Sequence, residues 1–200
     1  MARASIILGS ASPRRRALLR QIGVECEVRT ADIDERAYDN EAPAEYVLRL
    51  TIEKANRVAS IPVQRESLPV LAADTSVVVD GRILGKPANR ADAVSQLQQL
   101  SGREHKVLTG VALAFDNAVE TRLSVSHVRF RRMDTSEIAA YWDTGEPVDK
   151  AGSYAVQGIA AVFIQEIRGS YSGIMGLPLY ETAQLLRSIG HEIPCTQGTT

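Results

Sequence analysis

A short apolar run, Ile6-Ile7-Leu8-Gly9, passes straight into Ser10-Ala11-Ser12-Pro13-Arg14-Arg15-Arg16 and then into the amphipathic stretch Ala17 to Ile22. This order constrains the fold more than any other part of the chain. It predicts a strand, a tight turn and a helix stopped by Gly23. Ser12 suits the N-cap, where a hydroxyl accepts from a free N–H of the first turn. Pro13 suits the first helical position, which needs no N–H. A helix start offers unpaired donors and a positive dipole end, and both favour an anion. Three arginines and two serine hydroxyls crowd this turn. The segment reads as a phosphate grip, and the chain as a candidate nucleotide-binding protein.

The 200 residues suit one domain with a real core. A net charge of −1 argues against a general nucleic-acid or membrane-surface binder, so local basic clusters carry local meaning. Cys26 and Cys195 have no metal or redox spacing and read as unpaired thiols of a reducing cytoplasm. The start Met1-Ala2-Arg3-Ala4 lacks the long apolar region expected of a signal peptide, and no apolar run approaches the roughly 20 residues of a membrane helix.

Val24, Cys26 and Val28 alternate with charged residues as a half-buried strand does. Asp32 to Asn40 reads as a loop and Pro43 to Ala59 as a helix, with Glu45, Arg49, Glu53 and Arg57 as its charged stripe. Leu68 to Ala73 is a buried strand, Val77 to Leu84 a hairpin turning at Asp80-Gly81, and Asn89 to Leu100 a helix capped by Asn89. Two long strands, Val107 to Phe115 and Val119 to Phe130, flank Asp116-Asn117. Asp134 and Glu137 form a capping box for a helix over Thr135 to Trp142. A strand over Ala160 to Ile167, a Gly/Ser-rich loop over Gly169 to Gly176, and a helix over Pro178 to Ile189 complete the pattern. Strands and helices do not alternate strictly. The expectation is therefore an α/β protein with a mixed, twisted sheet flanked by helices and a cleft, not a doubly wound fold.

Asp74 ends the buried run Leu71-Ala72-Ala73, where a cleft often opens. Two readings stand: a general base, or a turn cap with Thr75 and Ser76. Lys54 lies on the apolar side of its helix, off the charged stripe, so it either snorkels or meets an anion. Lys86, held between Gly85 and Pro87, is a solvated loop residue or a fixed cation. Arg14, Arg15, Lys54 and Lys86 together are enough for a triphosphate. Asp34 and Glu35 are solvated loop acids or help hold Mg²⁺, which takes one or two carboxylates plus phosphate oxygens and waters. His105, His127 and His191 have no ligand spacing. Gln157, in a loop between Gly152 and Gly158, is an ordinary loop residue or an amide that pairs with the O4/N3–H edge of uracil or thymine. There is no Gly-x-Ser-x-Gly elbow, Walker A loop or Gly-x-Gly-x-x-Gly fingerprint.

The motif order Leu8-Gly9-Ser10-Ala11-Ser12-Pro13-Arg14-Arg15, Asp32-Ile33-Asp34-Glu35, Glu53-Lys54-Ala55, Ala73-Asp74-Thr75 and Gly85-Lys86-Pro87 resembles the Maf family. Ser101-Gly102, Thr109-Gly110, Lys150-Ala151-Gly152-Ser153-Tyr154, Gln157-Gly158 and Gly176-Leu177-Pro178 continue the match from about Ser5 to Gly190. The resemblance implies a single domain over residues 1–190 with a loose tail over 191–200. It implies an elongated, two-lobed, ITPase-like architecture with a central cleft. It also implies a cytoplasmic, Mg²⁺- or Mn²⁺-dependent nucleoside triphosphate pyrophosphatase, and points to a homodimer. Asp74-Thr75 and Tyr154-Ala155-Val156-Gln157-Gly158 look like the branch acting on dTTP and UTP.

Carried over residue by residue, Asp74 is the proton acceptor, and Arg14, Thr75 and Gln157 set specificity. Ser10, Arg15, Glu35, Lys54 and Lys86 contact substrate or metal. On this reading the cations clamp the triphosphate, Glu35 and Asp74 help hold the metal, and Asp74 activates the water that attacks the α-phosphorus. The rival expectation is a nucleotide-binding sensor in cell division or septum formation, which needs the cations but no base. Gly9 stands where the family usually has Ala, and Arg16 is a third cation outside the match.

Overall fold

A computed structural model describes residues 5–30, 32–61 and 68–194. One seven-stranded mixed sheet forms the frame. Its strands are β1 (Ile6–Leu8), β2 (Cys26–Val28), β3 (Val70–Val79), β4 (Arg82–Leu84), β5 (Glu104–Phe115), β6 (Ala118–Phe130) and β7 (Ile164–Arg168). The order is β2-β1-β3-β5-β6-β7, with β4 also paired to β3. β1 runs parallel to β2 and β3, and every other pairing is antiparallel. The helices are α1 (Pro13–Gln21), α2 (Pro43–Ala59), α3 (Arg90–Leu100), α4 (Thr135–Asp143), α5 (Tyr171–Met175) and α6 (Leu179–Ser188). The expected mixed α/β architecture is the observed one.

Most expected elements form for the expected local reasons. Asp116 and Asn117, with φ of 49° and 63°, make the tight turn of the β5–β6 hairpin, and Asp80 and Gly81 do the same between β3 and β4. Asn89 caps α3 by accepting from the Asp92 N–H, and Asp134 and Glu137 form their capping box. Four local expectations need correction. Asp74 does not end a strand, nor does it cap a turn with Thr75 and Ser76: all three lie in the middle of β3, which runs unbroken into the hairpin because β5 pairs with it from Val70 to Val78. Ser12 occupies the N-cap of α1, but its side chain makes no capping bond; Ser10 Oγ instead accepts from the Ser12 N–H at 3.2 Å. The strand expected over Ala160 to Ile167 starts only at Ile164, because Ile159–Phe163 is a 3-10 turn whose first N–H groups bond the Glu146 carboxylate. The loop expected over Gly169 to Gly176 contains α5, capped by Ser170 Oγ on the Gly173 N–H and closed by left-handed Gly176.

β3 decides where the cleft opens. On one edge it pairs continuously with β5 from Val70 to Val78. On the other it pairs with β1 only at Val70 and Leu71, and with β4 only from Val77 onward. The edge between, at Ala72 to Ser76, pairs with no strand among the described residues. Core packing divides about this gap. One cluster gathers Leu97, Leu100, Phe130, Ile138 and Phe163; another gathers Ile6, Leu8, Leu19, Leu71 and Leu185. Beyond Gly190, Ile193 is buried in that second cluster, and residues 195–200, with Cys195, lie outside the described residues. No helix among the described residues is long and apolar enough to cross a membrane.

Gly110 sets the height of α2 above the sheet. A Cβ there would stand 2.5 Å from Thr51 Oγ1 and 3.3 Å from the Val47 carbonyl. Gly110 is also the cross-strand partner of Asp74, so the two share a face of the sheet. The bare position lets α2 lie close enough for Lys54, one turn beyond Thr51, to reach Asp74. Gly110→Ala is expected to lower stability by about 1–3 kcal/mol through overpacking, and to cut turnover by displacing Lys54. Urea unfolding beside steady-state kinetics checks this, and an unchanged midpoint would show that α2 has room to spare.

Candidate active site

A cleft of about 820 Å³ opens at the strand gap. Ser10, Arg14, Arg15, Glu35, Lys54, Asp74, Thr75, Lys86 and Gln157 all line it. The structure thus brings these nine residues together, and leaves Asp34, the other loop acid considered for Mg²⁺, out of the lining. Arg16 is not in the lining.

The acidic centre is a three-residue cluster. Lys54 Nζ donates to Asp74 Oδ1 at 2.6 Å and contacts Glu35 Oε1 at 2.7 Å. Asp74 is buried on β3, Lys54 comes from α2, and Glu35 comes from the loop between β2 and α2. Lys54 is therefore neither a snorkelling lysine nor a free cation: it neutralises two carboxylates. Burial pushes the Glu35 carboxyl up, but the Lys54 hydrogen bond and the charges of Lys54, Lys86 and Arg15 outweigh it and hold the group below its usual range. Tyr46 Oη donates to the Glu35 carbonyl at 2.9 Å. Arg49 pins the same loop, pairing with Glu41 and stacking 3.9 Å over the Tyr38 ring. Asp34 faces elsewhere: hydrogen bonds from Arg36 hold its carboxyl down at about 2.

The cationic side is built on α1. Arg15 Nε donates to the Gly176 carbonyl at 2.7 Å, Nη1 to Ser10 Oγ at 3.1 Å, and Nη2 to Thr75 Oγ1 at 3.3 Å. Arg15 therefore ties the turn before α1 to β3 and to the end of α5. Desolvation lowers its pKa, while Asp74 opposes that shift. Thr109 Oγ1 lies 3.0 Å from Thr75 Oγ1 and 2.8 Å from the Gly173 carbonyl, which continues the polar chain inward. Lys86 is exposed at the rim.

Gln157 is exposed on a loop with two inner anchors. Ser153 Oγ donates to Gln96 Oε1 at 2.7 Å, and the buried Tyr154 hydroxyl lies 2.8 Å from His105 Nε2. Burial holds the His105 imidazole down at about 4. A buried neutral histidine contributes stability that is complete above its unfolded value near 6.5 and is lost as pH falls toward 4. Stability should drop by about 3 kcal/mol over that window. A His105→Gln variant should show a flatter pH dependence in urea unfolding; an equal slope would clear His105 of the effect.

Sequence reasoning missed Tyr46, Asp149 and Lys150, which also line the cleft. Tyr46 lies eight residues before Lys54 on the same helix, and that spacing was available. The Gly176 carbonyl is a backbone group and left no trace in side-chain chemistry.

Glu35 and Asp74 aim hard carboxylate oxygens at one point, filled here by the Lys54 ammonium. Mg²⁺ and Mn²⁺ take such oxygens, with phosphate and water completing the shell, so the pair fits a divalent ion. No group of three or more His, Cys, Asp or Glu side chains placed to hold a metal occurs among the described residues.

A family model described as Maf-like protein matches residues 5–189. A dTTP/UTP pyrophosphatase of Aromatoleum aromaticum is 52% identical over 202 residues, covering 95% of this chain and 98% of that one. A dTTP/UTP pyrophosphatase of Alkalilimnicola ehrlichii is 54% identical over 187 residues, covering 92% of each. Among solved structures, the Staphylococcus aureus Ham1 protein aligns with a TM-score of 0.46 at 10% identity, over 92% of this chain and 96% of that chain.

Proposed function

The chain belongs to the Maf family, and on that premise we propose that it hydrolyses dTTP and UTP to the nucleoside monophosphate and pyrophosphate. The observation that carries the reading is the Glu35–Lys54–Asp74 cluster facing Arg14, Arg15 and Lys86 across one cleft. A sensor needs the cations; it has no use for a carboxylate buried in the middle of a strand gap. Asp74 Oδ2 has no protein partner among the described residues and is the oxygen that takes the proton from the attacking water. The water adds to the α-phosphorus and the bond to the bridging oxygen breaks, so pyrophosphate leaves. Arg14, Arg15 and Lys86 hold the phosphates and meet the charge that develops on the leaving group. Lys54 keeps Asp74 and Glu35 in place and compensates their charge until substrate arrives. Glu35 and Asp74 would hold a divalent ion, which would polarise the phosphoryl oxygens when bound.

Thr75 and Gln157 face the base end of the substrate. The Gln157 amide offers one donor and one acceptor, matching O4 and N3–H of uracil or thymine. Gln157→Glu replaces the donor with an acceptor opposite O4, so preference for UTP over other triphosphates should fall on the order of tenfold. An unchanged substrate profile would remove Gln157 from base recognition. The activity itself is tested by pyrophosphate release from dTTP, UTP, CTP, ATP and GTP, with Mg²⁺ or Mn²⁺ and with chelator. Release confined to dTTP and UTP and lost with chelator supports the reading; UTP bound but not consumed would make the protein a sensor.

A further inference from the structure

Gln157 presents the same polar edge to two kinds of base. The N3–H/O4 edge of uracil recurs as N1–H/O6 in guanine, so amide chemistry alone does not separate a pyrimidine from a purine. The distance of the amide from the opposite wall must do so. What fixes that distance lies behind the loop. Glu146 receives three hydrogen bonds: Tyr141 Oη donates to Oε1 at 2.7 Å, the Ile159 N–H to Oε2 at 2.8 Å, and the Ala160 N–H to Oε1 at 3.2 Å. The Tyr141 hydroxyl accepts in turn from the Ala155 N–H at 3.4 Å. Gln157 is therefore bracketed two residues before and two residues after. Gly158 has to be bare, because a Cβ there would stand 2.1 Å from Glu146 Oε2. Neither Glu146 nor Tyr141 lines the cleft.

We propose that Glu146, with Tyr141, is a positioning residue for substrate selection: it sets the depth at which Gln157 meets the base and so separates uracil and thymine from purines. The inference rests on the base-reading role of Gln157. A carboxylate is needed because both its oxygens face donors. A glutamine would turn its amide N–H toward one of them.

The test compares kcat/KM for UTP and GTP in the full-length protein and its variants. Glu146→Ala and Tyr141→Phe should each lower the UTP-to-GTP ratio on the order of tenfold, mainly through a higher KM for UTP, as expected when a contact is displaced by about 1 Å. Glu146→Gln, which keeps one acceptor oxygen, should recover part of the loss. In a Gln157→Ala background, Glu146→Ala should leave the ratio where Gln157→Ala alone puts it. A Glu146→Ala protein that slows both nucleotides equally would overturn the inference, as would a further fall in the ratio in the Gln157→Ala background. Failure of the underlying reading shows differently, as an unchanged ratio in Gln157→Ala itself. If Glu146→Ala does not fold, Tyr141→Phe carries the test, since it deletes one oxygen and keeps the buried ring.

Discussion

Asp74→Asn is expected to lower kcat for UTP by about 10²–10⁴-fold, the range for loss of a general base. The substitution keeps the shape of the side chain and an oxygen for Lys54 Nζ to bond, so the cluster on β3 stays assembled. Nucleotide affinity should change little, because Arg14, Arg15 and Lys86 are untouched. Single-turnover pyrophosphate release, nucleotide titration by calorimetry and a thermal melt separate these effects. Normal turnover in the variant would remove Asp74 from the chemistry. A loss of binding equal to the loss of rate would make it a substrate contact instead of a base.

Lys54→Met should be the most damaging change to stability in the site. It leaves Asp74, whose side chain is 12% exposed, without its cation, and Glu35 without its hydrogen bond. Stripping one partner from a buried pair costs about 3 kcal/mol at the lower end of its range, and the lower end applies because Glu35 is half exposed. The pH dependence identifies the cause. The Glu35 carboxyl is held below its usual range in the folded protein. Its contribution is therefore present above the unfolded carboxylate value and is lost as pH falls through the folded one. The gap between wild type and Lys54→Met should be full at pH 7 and close below the ordinary carboxylate range. Urea midpoints across that interval measure it, and a gap independent of pH would point to lost packing of the lysine stem. Turnover should also fall sharply, since both carboxylates lose their alignment.

Local patterns were legible where the causes are local. Pro13 and Gly23 bound α1, Asn89 caps α3, the Asp134–Glu137 box starts α4, and Asp116-Asn117 turns β5 into β6, each through groups within four residues of one another. The errors have mixed causes: Glu146 acts from a distance, while Ser170 and Ser10 act within a few residues. Ala160 to Phe163 has strand-like composition, but the Ile159 and Ala160 N–H groups that open this turn are taken by Glu146, 13 and 14 residues earlier in sequence. Gly169 to Gly176 looks like a loop by composition and becomes a helix because Ser170 caps it. Ser12 sits where a cap belongs, yet the side chain that bonds the turn is Ser10, which Arg15 also engages.

Periodicity, caps, turn residues and motif order are written in the chain, and they disclose most of the elements, the polar residues that line the cleft, and the family. The chain does not disclose that Lys54 pairs with two carboxylates, that Arg15 ties three segments together, or that Glu146 stands behind Gln157. Those depend on register and approach. β1 stops pairing at Leu71 and β4 starts at Val77, which opens β3 around Asp74, and bare Gly110 lets α2 come down onto the same face. Such contacts join residues tens of positions apart, and no local pattern encodes the distance between them until the sheet has closed and the helices have packed.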